Sequence, residues 1–77
     1  MKTEKLTIHQ RGIILRGICG GAALKGKTPR ISENNTVITC AGQLSVWDIC
    51  SISCDAETFG LNAKVGYDGE TKITFNQ

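Results

Sequence analysis

Residues 43–56, QLSVWDICSISCDA, decide the fold class. Read as a strand, one face carries Leu44, Val46, Asp48, Cys50, Ile52, Cys54 and Ala56, apolar everywhere but Asp48. The other face carries Gln43, Ser45, Trp47, Ile49, Ser51, Ser53 and Asp55. Read as a helix, the apolar positions scatter around the circumference. The support for that reading is a capping-box spacing, Ser45-x-x-Asp48. The alternation favours the strand. It must bend, because such a run is long for one strand.

The segments on either side also read as β-structure. Downstream, Phe59, Leu61, Ala63, Val65 and Tyr67 alternate, Asp68-Gly69 follows, and Thr71, Ile73 and Phe75 alternate again. Asp-Gly between alternating runs is a hairpin signal. A two-residue loop would set Val65 opposite Lys72 and put the two apolar faces on opposite sides. A longer loop or a bulge at Gly69-Glu70 pairs Val65 with Ile73 and Ala63 with Phe75 instead. Upstream, Thr36–Cys40 reads as a strand, and residues 26–35 (GKTPRISENN) read as the clearest loop. Residues 4–10 (EKLTIHQ) alternate as a half-buried strand, and IILRGIC (13–19) reads as a second extended run. Five glycines between positions 12 and 26 argue against a helix there, since each costs about 1 kcal/mol relative to alanine. The expected architecture is one domain, residues 1–77. It is all-β, or a β-rich α+β variant, with five to seven short strands in a small sheet or barrel closed by the C-terminal hairpin.

Composition bounds what such a domain can do. A chain of 77 residues is near the lower limit for a self-sufficient core. Phe59, Phe75, Tyr67 and Trp47 are its only aromatics. The net charge of +2 lacks the strong basic stripe of a nucleic-acid binder. The N-terminal stretch MKTEKLTIHQ has an acid and no apolar run, so it does not read as a secretory signal. No apolar run approaches a membrane span. The expectation is a soluble cytoplasmic protein with no membrane partner.

One stretch invites a catalytic reading. GAALKGKT, residues 21–28, fits the phosphate-loop pattern at Gly21, Gly26, Lys27 and Thr28. A phosphate loop needs a strand before it and a helix starting at its lysine. Here Pro29 and Asn34-Asn35 follow within a few residues, so the helix is missing. What survives is a glycine-rich turn beside Lys25, Lys27 and Arg30 that can hold an anion. The candidate anion-binding residues are Gly21, Lys25, Gly26, Lys27 and Arg30.

The four cysteines, Cys19, Cys40, Cys50 and Cys54, fall on apolar positions of the expected strands and read best as core, with a disulfide framework and a zinc site as the competing readings. Zinc usually takes ligands in close pairs, and the only close pair is Cys50-x-x-x-Cys54. In a strand those sulfurs lie too far apart; in a helix they sit one turn apart and can share an ion. The lone His9 falls on a polar face. No pattern marks an activated nucleophile or a carboxylate pair, so no catalytic residue, cofactor or metal is assigned.

On the strand reading, Trp47 and Ile49 share a face that so small a chain cannot cover by itself. They form the candidate partner interface, with a second copy as the partner. The expected function is therefore non-catalytic binding. The chain suits a small inhibitor, adaptor or sequestering protein, of the kind phage and mobile elements encode. It would act as a homo-oligomer on a protein or a small anionic ligand. The competing classes are a nucleic-acid module using Lys25, Lys27 and Arg30, and a small zinc protein using its cysteines.

Overall fold

Two helices and a four-stranded antiparallel sheet make up residues 5–77, the part of the chain that the computed structural model describes. Glu4, the first residue of the run EKLTIHQ, lies outside them, as do Met1, Lys2 and Thr3. In chain order the elements are α1 (Ile8–Cys19), a 3-10 turn (Ala22–Leu24), β1 (Arg30–Ile31), β2 (Val37–Cys40), α2 (Val46–Thr58), β3 (Asn62–Tyr67) and β4 (Thr71–Asn76). The strands lie in the order β1-β2-β4-β3. The domain is therefore α+β, and the expected all-β fold of five to seven strands is wrong at both helices.

Residues 43–56 are helical where a bent strand was expected. Ser45 caps the helix, its hydroxyl accepting from the Asp48 amide at 3.2 Å. Phe59-Gly60-Leu61 stops it. Gly60 turns left-handed at φ +79°, its amide donates to Glu57 O, and the Leu61 amide donates to Ala56 O at 2.8 Å. This is a Schellman stop with a buried leucine just beyond it. The helix buries only a narrow stripe, Ile52 and Ala56 with Ile49 half-covered. Val46, Trp47, Cys50 and Cys54 stay in water, which is why its apolar residues looked scattered.

The N-terminal strands are likewise one helix. Thr7 and Gln10 form a full capping box: Thr7 Oγ1 accepts from the Gln10 amide, and Gln10 Oε1 accepts from the Thr7 amide. Leu15 and Ile18 go into the core. Of the glycines counted against a helix, only Gly12 and Gly17 lie inside α1, and Gly12 is itself buried against Asn35. Close approach there offsets a propensity cost of about 1 kcal/mol.

The hairpin has the register the alternation demands. Val65 pairs with Ile73, Ala63 with Phe75 and Tyr67 with Thr71, leaving Asp68-Gly69-Glu70 as the loop. Across the sheet, Ile31, Ile38, Ile73 and Val65 align in one apolar row. Phe75, Leu15, Leu24, Ile52 and Leu61 pack with that row into a single core between sheet and helices. The buried Thr71 hydroxyl donates to Gly42 O. Among the described residues no element covers the sheet's other face, which carries Thr39, Lys64, Gly66, Lys72 and Thr74. Among the described residues, no helix is long and apolar enough to cross a membrane.

Candidate functional site

The stretch GAALKGKT sits at the wrong end of a helix for phosphate. The run IILRGIC before it belongs to α1, where a strand was expected. Gly21 follows the α1 C-terminus, the negative end of the helix dipole, and β1 comes after the stretch instead of a helix. The amides of Gly21, Leu24, Lys25 and Lys27 donate to Ile18 O, Gly21 O, Ala22 O and Leu24 O. An anion placed here would meet side chains and not a cradle of those amides. Lys25 and Gly26 are exposed and Lys27 is half-buried. Thr28 takes a left-handed φ of +45° just before Pro29. Arg30 is exposed and bridges Glu70 at 3.2 Å. Thr28, Pro29, Arg30, Ala41 and Glu70 line an open concavity at this end of the sheet. Across the uncovered sheet face, Lys64 and Lys72 add further positive charge.

The two residues expected to share an interface are parted by the helix. At about 100° per residue, positions two apart lie on nearly opposite sides. Ile49 turns toward the core, whereas Trp47 is 83% exposed. Val46 beside it is exposed too. The helical layer also holds an apolar groove between α1 and α2, lined by Ile13, Ile14, Gly17, Ile18, Asp55 and Phe59, with a volume of about 240 Å³. Sequence reasoning missed this groove, because it requires α1 and α2 to exist as helices. The signals that could have revealed them are Thr7-x-x-Gln10 and Phe59-Gly60-Leu61.

The cysteines divide into two pairs. Cys40 is buried and Cys19 half-buried, as expected of core residues. Burial pushes both thiols above their ordinary range, with the nearby Cys40 adding to the effect at Cys19. Cys50 and Cys54 are exposed on α2, not packed in a core. They lie one turn apart on the same side of the helix as Trp47. All four are free thiols. Among the described residues, no three His, Cys, Asp or Glu side chains of one chain gather as a metal site. His9 is exposed in the first turn of α1.

No family model matches the chain, and no similar protein is found among curated proteins or solved structures.

Proposed function

We propose that this chain is a small non-catalytic binding protein that works as a homo-oligomer through its helical layer. One observation carries the reading: Trp47, the only tryptophan, is 83% exposed. A ring that open contributes little to the fold, and tryptophan is a common interface anchor. The same layer supplies a receptor for it. The groove beside Phe59 is apolar, and Asp55 on its wall offers an acceptor for the indole N–H, which needs a partner once buried. Trp47 and Asp55 lie about 12 Å apart along α2 at 1.5 Å per residue. Antiparallel pairing of two α2 helices about their midpoint carries each Trp47 to the other copy's groove. Knob and groove on one surface make it self-complementary, as two-fold association requires.

Pairing through the helices leaves the sheet faces outward. Lys64 and Lys72 there suit an anionic ligand or an acidic protein surface as the target, and Lys25 and Lys27 beyond the 3-10 turn add a second basic group. Exposed free thiols at Cys50 and Cys54 suit a reducing compartment, consistent with a cytoplasmic setting.

Intrinsic fluorescence tests the reading, since Trp47 is the sole indole. On dilution through the micromolar range, its emission should shift to the red as dimers part. Light scattering should show the same transition. Trp47→Ala should give a monomer with unchanged circular dichroism. A wild-type chain that stays monomeric at every concentration, with or without added metal ions, overturns the proposal.

A further inference from the structure

We infer that Cys50 and Cys54 form half of a zinc site that two copies of the chain complete together. The inference rests on the self-association proposed above and adds a ligand to it.

Neither thiol serves the fold. Both are exposed, neither belongs to the core, and neither is in a disulfide. Cysteine is among the residue types most often buried, so two open ones on one helical stripe call for a use. Their i, i+4 spacing on α2 brings both sulfurs to the same side. That side also carries Trp47, Ser51 and Thr58, a seam without charge directly away from the buried stripe Ile49, Ile52 and Ala56. Asp55 and Glu57 flank it.

Structural zinc takes four ligands in a tetrahedron, with Zn–S bonds of about 2.3 Å. One chain offers two thiolates and no third or fourth ligand among the described residues. Antiparallel pairing centred between Cys50 and Cys54 sets each Cys50 opposite the second copy's Cys54. Cysteine and serine at the crossing are small, so the axes can approach to about 8 Å. Four sulfurs then surround the two-fold axis. The same pairing puts Trp47 beside the second copy's last helical turn, where the groove opens. Binding replaces the thiol protons with the metal, so uptake weakens as pH falls. The bound set carries a net negative charge, and Asp55 and Glu57 stand nearby. Association is therefore expected to strengthen as salt screens the flanking charge.

Native mass spectrometry of the reduced full chain titrated with zinc chloride tests this. The expected species is a dimer holding one zinc, with Cys50 and Cys54 protected from iodoacetamide and exposed again by EDTA. Cys50→Ser and Cys54→Ser should each abolish zinc uptake; both positions are exposed, so the fold persists. Cys19→Ser should leave the stoichiometry unchanged. No zinc uptake, one zinc on a monomer, or a zinc dimer whose two thiols still alkylate would each overturn the site. Zinc-free light scattering reads the Trp47 contact separately. A metal-free dimer that takes up no zinc sinks this inference alone. A chain that dimerises only with zinc, and does so equally well as Trp47→Ala, sinks the tryptophan contact alone.

Discussion

The side-chain amide of Asn35 occupies the space where a β-carbon on residue 12 would sit: an ideal Cβ at Gly12 would lie 2.7 Å from Asn35 Nδ2. That amide donates to Ile8 O at 2.8 Å, tying the β1–β2 turn to the first turn of α1. Asn35 holds φ at +55°, a conformation asparagine tolerates better than most residues. A helix glycine and a turn asparagine thus form one device that docks α1.

Gly12→Ala should destabilise the fold although alanine is the better helix former. The gain of about 1 kcal/mol in propensity is set against a lost hydrogen bond of about 1 kcal/mol and overpacking of about 1–3 kcal/mol. A Cβ at Gly17 meets nothing within 4 Å. Gly17→Ala should therefore stabilise by about 0.5–1 kcal/mol. Urea midpoints of the two variants should move in opposite directions. A shift of the same sign in both would show that Asn35 yields freely.

Among the described residues Thr71 is the one buried polar side chain, and its hydroxyl satisfies Gly42 O at the entry to α2. Thr71→Val keeps the shape and removes the donor, which should cost about 1–3 kcal/mol. Thr71→Ser keeps the bond and should cost less. If the two variants unfold at the same denaturant concentration, the hydrogen bond contributes nothing.

The ends of α2 offer a third test. Ser45→Ala removes the N-cap acceptor and should cost about 0.5–2 kcal/mol. Gly60→Ala forces a β-carbon into the left-handed region and should cost about 1–2 kcal/mol. The sites lie far apart, so the double variant should show the sum, read by thermal or urea unfolding. A Gly60→Ala chain as stable as the parent would mean that the helix ends some other way.

Alkaline pH should weaken the fold through its two inner thiols. Burial raises the Cys19 and Cys40 pKa values above the usual 9.0. At Cys40 the hydrogen bond to Thr71 and the charge of Lys27 pull the other way, and Glu70 adds to the rise. The unfolded chain therefore loses these protons first as pH climbs through 9.0. The neutral-thiol contribution is intact below that value and is lost as pH rises through the folded-state values. Urea midpoints should hold steady near neutrality and fall above 9.0. Cys40→Ala should flatten the fall; an unchanged slope would assign it to other groups. In native protein, iodoacetamide should label metal-free Cys50 and Cys54 quickly and Cys40 only on opening.

The parts of the fold legible from sequence are those where alternation has no rival. Val65 and Ile73 could pair in only one way that kept both apolar faces together. Thr36–Cys40 is β-branched and flanked by turn residues. The helices were hidden for two different reasons. In α2, Ile52 buried and Cys50 and Cys54 exposed mimic one face of a strand, because period-two spacing ignores which residues are wet. In α1, glycine counts as a breaker unless something must come close to it, and Asn35 is far away in sequence. Of the candidate site, Trp47 survives as an exposed side chain while Ile49 belongs to the core. The groove between α1 and α2 had no sequence signature of its own.

The strand order has a consequence for synthesis. β4 pairs with β2 and β3 and supplies Ile73 and Phe75, yet it follows every other element along the chain. While the ribosome is still adding residues 71–76, β2 and β3 have no strand between them and the core lacks Ile73 and Phe75. At about 5–20 residues per second, most of the nascent domain waits for seconds with that gap unfilled. Its closing step is the arrival of one strand in the middle of the sheet, after every other element of the domain has been made.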